Sequence, residues 1–295
     1  MRPVSGWLEG AVQRVRAFAR ARPRCRLDRH RPKVGLALGG GFARGISHIG
    51  VLRVFEENGL PVDCIAGTSV GSLIASAYAA GSSLEEMERQ AAVTHFRDFG
   101  RWTLSWMGLA TNERLEHYLH RFSPAARFEE LKLPLAVAAT DLGTGEAVYF
   151  TEGEIGPPLR ASCAYPGLFL PVEHRGRILV DGFLAAPVPV EAVRQLGADV
   201  VIGVYLDSTR NADKPDSLMD VIGRSFSIMQ RHAHRDWRYR ADVVLEPDVA
   251  SFDWDDFEQT PGLIAAGEAA ARAALPQIRE AIYPSDIESV LPRPA

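Results

Sequence analysis

The chain has 295 residues, of which 46% are hydrophobic and 24% charged, and its formal net charge is −4. That length can bury a large core, and the composition is that of an ordinary soluble globular protein. No unbroken apolar run reaches 18 residues, so no membrane-spanning helix is expected; Cys25, Cys64 and Cys163 have no metal-ligand spacing, so no metal or cofactor is expected and a reducing, cytoplasmic setting is.

Residues 1–32 hold nine arginines against Glu9 and Asp28, a formal +7 that leaves −11 for the remainder. Trp7, Leu8, Val12, Val15 and Phe18 fall near helical spacing, with Arg14, Arg16 and Arg20 between them. Two readings stand: a basic amphipathic helix that lies on an anionic membrane surface at the inner face, or a solvated N-terminal arm. No continuous apolar stretch follows the charges, so a secretory signal is not expected. Nucleic acid is not an expected partner, because the basic arm carries no recognisable binding module.

From residue 33 the pattern is that of an α/β domain. Val34-Gly-Leu-Ala-Leu38 reads as a short buried strand that runs into Gly39-Gly40-Gly41. Residues 46–58 have helical spacing through Ile49, Leu52 and Phe55, closed by Asn58-Gly59. Residues 62–66 form the second strand, with Cys64 as a core thiol, and 69–80 the second helix, ended by Gly81. Two strand–helix units in succession predict a parallel sheet. Ser83 opens a further helix, with Glu86 at capping-box spacing. Residues 111–122 form an amphipathic helix. Residues 133–140 and 147–150 form a strand pair around Leu142-Gly143-Thr144-Gly145, and 177–180 a short strand. Residues 187–196 lead into a helix, 199–206 into an apolar strand, Val243-Val244 into a last strand and 263–282 into a long helix. Residues 207–217 form a polar loop. The expected organisation is a 1–32 extension, one domain over 33–285 and a 286–295 tail; nothing in the sequence specifies an oligomeric state.

Three motifs carry chemistry. Gly67-Thr-Ser69-Val-Gly71 is a G-x-S-x-G sequence between an apolar strand and a small-residue helix. This is the pattern of a nucleophile elbow: glycines on both sides let backbones approach, and Ser69 stands at a helix N-terminus that favours developing negative charge. The loop Gly39-Gly40-Gly41-Phe42-Ala43-Arg44-Gly45 exposes backbone N–H groups at a helix start, which suits either a phosphate or an oxyanion. It does not fit G-x-G-x-x-G or a Walker sequence. With a serine elbow downstream, an oxyanion hole is the better reading. A serine needs a base. His174 lies in a polar turn and His232 and His234 in a basic polar stretch, whereas Asp181 ends the apolar strand Ile178-Leu-Val180 and is followed by Gly182. A carboxylate there could take the Ser69 proton directly.

These residues together resemble the bacterial patatin-like phospholipase family. The glycine loop with Arg44-Gly45, the following Ile46-Ser-His-Ile-Gly-Val-Leu52, the elbow Gly67-Thr-Ser-Val-Gly71 and Asp181-Gly182 occur in the family's order. Ala139-Thr-Asp-Leu-Gly-Thr-Gly-Glu146 and Arg160-Ala-Ser-Cys-Ala-Tyr-Pro-Gly-Leu-Phe169 are similar to it as well, so that the likeness runs from about residue 33 to 285. It implies a three-layer α/β/α fold with a mainly parallel central sheet. It also implies a Ser–Asp dyad of Ser69 and Asp181, with an oxyanion hole from Gly39, Gly40, Gly41 and Arg44. The chain departs from the family in two places: Phe42 stands where bacterial members carry a fourth glycine, and Phe183 follows Asp181-Gly182, where it narrows the pocket but leaves the base in place.

Each motif also has a structural reading. Arg44 either serves the oxyanion or pairs with a carboxylate to brace the loop. His48 is a packing histidine, and Asp141 a turn cap two residues before Gly143. The crowded segment Phe96, Phe99, Trp102, Leu104, Trp106, Met107 and Leu109 is either core or the lining of an acyl pocket or interfacial lid. The expected function is a serine lipid acyl hydrolase, of phospholipase or lysophospholipase type, acting through an acyl-enzyme. A low-turnover acyl-binding or regulatory protein on the same fold is the alternative. A nucleotide-binding α/β protein is the third reading.

Overall fold

The computed structural model describes residues 31–119, 121, 125–207, 214, 218–233 and 236–284. The arginine-rich arm, His234, most of the 207–217 loop and the 286–295 tail lie outside the described residues, as does the side chain of His232.

The chain runs β1 (Val34–Leu38), a 3-10 turn (Phe42–Ile46), α1 (Ser47–Glu57), β2 (Cys64–Thr68), α2 (Val70–Ala80), α3 (Leu84–Ala92) and the single turn α4 (Phe96–Phe99). It continues through β3 (Arg101–Ser105), β4 (Gly108–Thr111), α5 (Arg114–Leu119), β5 (Leu135–Asp141), β6 (Ala147–Phe150), α6 (Gly156–Ser162), β7 (Val172–His174) and β8 (Arg177–Asp181). The last part holds α7 (Val190–Gln195), β9 (Val200–Val204), α8 (Leu218–Ala233), α9 (Asp236–Arg240), β10 (Val243–Leu245) and α10 (Thr260–Ile282). Strands β10, β9, β1, β2 and β5 are parallel neighbours in that order. Strands β6, β7 and β8 pair antiparallel, so the eight-stranded sheet is mixed but mostly parallel.

Alternation along the strands sorts the layers. Val34, Leu36, Leu38, Ile65, Val137, Ile202 and Val204 pack on one face with the apolar sides of α1 and α10. Ala37, Cys64, Ala66, Ala136 and Val201 face the other side, against Val190, Val193 and Ala198. Large residues on one face leave room for long helices; small ones on the other let the short α7 come close. A Cβ on Gly35 would stand 2.8 Å from the Cβ of Ala198. The result is the three-layer α/β/α arrangement.

On the first face α1 crosses α10 with almost no clearance. A Cβ on Gly267 would lie 1.9 Å from the Ser47 carbonyl oxygen, and one on Gly50 would lie 2.0 Å from that of Ile264. We expect Gly267→Ala to destabilise the fold by about 2–3 kcal/mol, the cost of overpacking a close backbone contact; urea denaturation measures it, and an unchanged midpoint would mean that the helices separate freely.

One feature of the sheet positions the site. Strands β2 and β6 both pair with Val137 and Ala138, so they lie on opposite edges of β5. Strands β6 and β8 both pair with Ala139 and Thr140, so these two are on opposite edges as well. β2 and β8 therefore share one edge of β5 and run toward each other. β2 stops at Thr68 opposite Ala138, and β8 stops at Asp181 opposite Ala139. Register alone brings the residue after Thr68 beside Asp181, although 112 positions separate them in sequence.

The segment 96–109 divides between the two readings, core and pocket lining, and adds a feature that neither foresees. It holds an antiparallel hairpin, β3–β4, whose turn is Trp106-Met107. Sequence reasoning passes over it because that turn has none of the Gly, Asn, Asp or Pro residues that mark hairpins. Part of the segment, Phe96 and Phe99, packs against the core, while Trp102, Trp106, Met107 and Leu109 are exposed.

Candidate active site

Ser69 occupies the tight turn between β2 and α2 with φ 55° and ψ −130°. A non-glycine residue there carries strain of about 1–2 kcal/mol, and the surroundings hold it in place. Its N–H donates to Ser162 Oγ (2.9 Å), and its carbonyl accepts from the N–H and Oγ of Ser72 (2.8 and 2.6 Å). The two elbow glycines are required by contact rather than by φ. A Cβ on Gly67 would lie 2.3 Å from the Gly71 carbonyl oxygen, and one on Gly71 2.4 Å from that of Leu38. Ser162, buried in the Arg160–Phe169 segment, is the supporting residue that sequence reasoning did not single out. A lone serine at a helix end gives no sign of which distant N–H it will meet.

Ser69 Oγ donates to Asp181 Oδ2 at 2.7 Å. The other carboxylate oxygen, Oδ1, accepts from the Phe183 N–H at 3.0 Å. Asp181 is 1% exposed. Burial pushes its carboxyl up to about 7, and the hydrogen bonds from Phe183 and Ser69 oppose that rise. Gly182 is needed because a Cβ there would stand 2.4 Å from the Ala138 carbonyl oxygen.

The glycine loop lies against the serine, since β1 and β2 are paired with Leu38 opposite Gly67. A Cβ on Gly40 would be 3.2 Å from that of Ser69. The Gly39 N–H donates to the Val204 carbonyl (3.0 Å), so this group belongs to the frame and is removed from the expected oxyanion donors. Among the described residues the N–H groups of Gly40 and Gly41 have no hydrogen-bond acceptor, and both residues line the cleft that holds Ser69. The Arg44 side chain is buried, and its Nε donates to the Phe252 carbonyl at 2.9 Å. Burial lowers its affinity for the proton, and the nearby Asp253 and Asp207 raise it. The arginine braces the loop. His48 is a packing residue as expected; its Nε2 meets the Gly39 carbonyl at 2.8 Å, so Nε2 carries the proton there. Burial lowers it to about 4, which keeps the ring neutral. His174 packs edge-on to Phe150 in strand β7 and takes no part in the site. Asp141 caps its turn through Gly143 N–H (2.8 Å) and pairs with Arg177.

Two spaces meet at Ser69. A narrow apolar pocket of about 90 Å³ is walled by Val70, Leu73, Ile74 and Ala77 from one face of α2, with Phe99, Leu115 and Phe169 opposite. A larger, more polar cleft of about 450 Å³ holds Gly40, Gly41, Asp181 and residues of α8. Phe42 lines both. It takes φ 51°, a left-handed conformation that favours glycine, and it is held by edge-on contacts with Tyr165 and Trp254 at 5.1 and 5.2 Å. Phe183 narrows the polar cleft, stacked on Tyr165 at 5.0 Å. Among the described residues no group of three or more His, Cys, Asp or Glu side chains could hold a metal ion, and no helix is long and apolar enough to cross a membrane.

The arrangement is a buried carboxylate hydrogen-bonded to a strained serine, with two N–H groups that have no acceptor among the described residues, beside an apolar pocket. Comparisons with known proteins place the chain in a family. The family model described as patatin-like phospholipase matches residues 36–194. An uncharacterized NTE family protein of Mycobacterium tuberculosis is 33% identical over 203 residues, covering 68% of this chain and 56% of its own length. Lysophospholipase nte1 of Aspergillus fumigatus is 30% identical over 204 residues, covering 67% of this chain and 13% of its own. The chain thus matches little more than half the length of the mycobacterial relative. The crystal structure of VipD from Legionella pneumophila superposes with a TM-score of 0.47 at 13% identity, covering 85% of this chain and 67% of that one.

Proposed function

The chain belongs to the patatin-like phospholipase family, and on that basis we propose that it hydrolyses acyl esters of lipids through a Ser69–Asp181 dyad. The observation that carries this reading is the 2.7 Å hydrogen bond from Ser69 Oγ to a carboxylate that burial holds near pH 7. An ordinary carboxylate is too weak a base for a serine hydroxyl; one raised to about 7 is closer to the pKa a general base needs.

Asp181 takes the Ser69 proton as Oγ attacks the acyl carbonyl. The carbonyl oxygen gains the negative charge and is met by the N–H groups of Gly40 and Gly41, aided by the N-terminus of α2. When the tetrahedral adduct collapses, Asp181 returns the proton to the departing alcohol, and the acyl group stays on Ser69 as an ester. Asp181 then deprotonates a water that attacks this ester, the fatty acid leaves, and Ser69 recovers its proton. The domain that does this is residues 33–285. The acyl chain runs into the apolar pocket, and the alcohol portion sits in the polar cleft.

Ala77 tests that assignment. It lies eight residues beyond Ser69 along α2, about 12 Å away at the helical rise, at the far end of the pocket wall. Ala77→Phe fills that end. We expect kcat/KM for a p-nitrophenyl decanoate to fall about tenfold or more, with p-nitrophenyl butyrate little affected. An equal effect on both esters would place the acyl chain elsewhere. Fatty-acid release from a panel of phospholipids and lysophospholipids tests the substrate class; no release from any lipid by folded protein would favour the acyl-binding alternative.

A further inference from the structure

We propose that the β3–β4 hairpin is a docking surface for an anionic lipid bilayer. Its turn consists of Trp106 and Met107, which the Ser105–Gly108 pair encloses. Trp106 is fully exposed, Met107 is 69% exposed and Trp102 67%. Large apolar side chains at a hairpin turn, where small polar residues are the norm, are unfavourable in water unless something covers them. Tryptophan is the side chain that sits best at a membrane–water boundary.

The tip is held out by a fixed base. Leu109 and Ala110 N–H groups donate to the Leu168 carbonyl (3.0 and 2.8 Å), and Leu170 N–H donates to the Ala110 carbonyl (3.0 Å). A Cβ on Gly108 would lie 2.9 Å from the Phe169 backbone, so the hairpin sits flush on that segment. Phe169 in turn walls the apolar pocket that reaches Ser69, and Phe96 joins the two by stacking on Phe169 and packing on Trp102. The exposed surface is therefore anchored to the wall of the acyl pocket.

The charges at the base of the hairpin, beside Trp102, suit an anionic surface. Arg97, Arg101 and Arg114 are exposed and make no ion pair with a carboxylate among the described residues. Of the neighbouring acids, Asp98 is paired with Arg121 and Glu116 with Arg160, leaving Glu113 exposed. Apolar side chains flanked by cations are the composition of an interfacial membrane contact. The choice of a lipid surface over another occupant rests on the lipid-hydrolase reading of the pocket; the binding itself can be measured apart from catalysis.

The test is flotation of the full chain with vesicles of phosphatidylcholine containing phosphatidylglycerol. Trp106→Ser with Met107→Ser should weaken partition by about tenfold or more, while kcat/KM for soluble p-nitrophenyl butyrate is unchanged. Arg97→Gln with Arg101→Gln should abolish the preference for anionic over purely zwitterionic vesicles. Repeating the serine pair in a Ser69→Ala background separates the two readings: a loss of partition there supports docking whether or not any lipid is hydrolysed. Partition equal to wild type in the serine pair would overturn the proposal, as would a shift from dimer to monomer with no change in vesicle binding.

Discussion

Ser69→Ala and Asp181→Asn should each lower kcat/KM for a p-nitrophenyl acyl ester by about 10⁴-fold or more, with the fold retained. The serine variant loses the atom that bonds to the acyl group. The asparagine variant keeps the shape of Asp181 and its acceptor for the Phe183 N–H but cannot hold a proton. Because the two groups act in one proton transfer, the double variant should be little worse than either single one. Steady-state kinetics with circular dichroism as the folding control measures this. A double variant whose losses multiply would mean that the two residues act independently.

Asp181 also sets a pH dependence, with a second effect of opposite sign on stability. The base works only when ionised, so log kcat/KM should rise with unit slope as pH climbs toward about 7 and level off above it. Folding raises this carboxyl from an ordinary value to about 7, so the folded state holds a proton that the unfolded state releases earlier. The stability contributed by the protonated group is fully present below about pH 4 and is lost as pH rises through 7. Over the whole window the difference is on the order of 4 kcal/mol, at 1.36 kcal/mol per pH unit. Asp181→Asn cannot ionise, so its stability relative to the wild type should improve from about pH 4 to about pH 7 and level off above that. Urea midpoints of both proteins across that range measure it. A constant difference would mean that Asp181 has the same proton affinity folded and unfolded. On the proposed mechanism, the site trades stability at higher pH for a base of useful strength.

Much of this was legible in the residues. The apolar runs of β1, β2, β5 and β9 are buried on both faces and read as strands for that reason. Gly81, in the left-handed conformation at φ 89°, ends α2 where a stop was expected. The elbow at Ser69 announces itself because glycines on either side are demanded by contact. The position of Asp181 was legible only as a strand end. That β8 approaches β2 along one edge of β5 is a matter of register, and register belongs to the whole sheet. The roles within the glycine loop were also hidden. Gly39 and Gly40 are the same residue type, yet one N–H is taken by Val204 of β9 and the other is free of a partner among the described residues. No local signal separates them, because β9 lies some 160 residues away in sequence. The Trp106-Met107 hairpin is hidden for a different reason: its turn has none of the Gly, Asn, Asp or Pro residues that mark hairpins.

Reaction of the full chain with a fluorophosphonate, read by peptide mass spectrometry, tests the central claim most directly. An activated serine attacks phosphorus, fluoride leaves, and a stable phosphonyl ester remains. The account predicts one adduct per chain, on Ser69, formed far more slowly in Asp181→Asn. Folded protein that stays unlabelled, or that is labelled at Ser69 equally fast without Asp181, would contradict it.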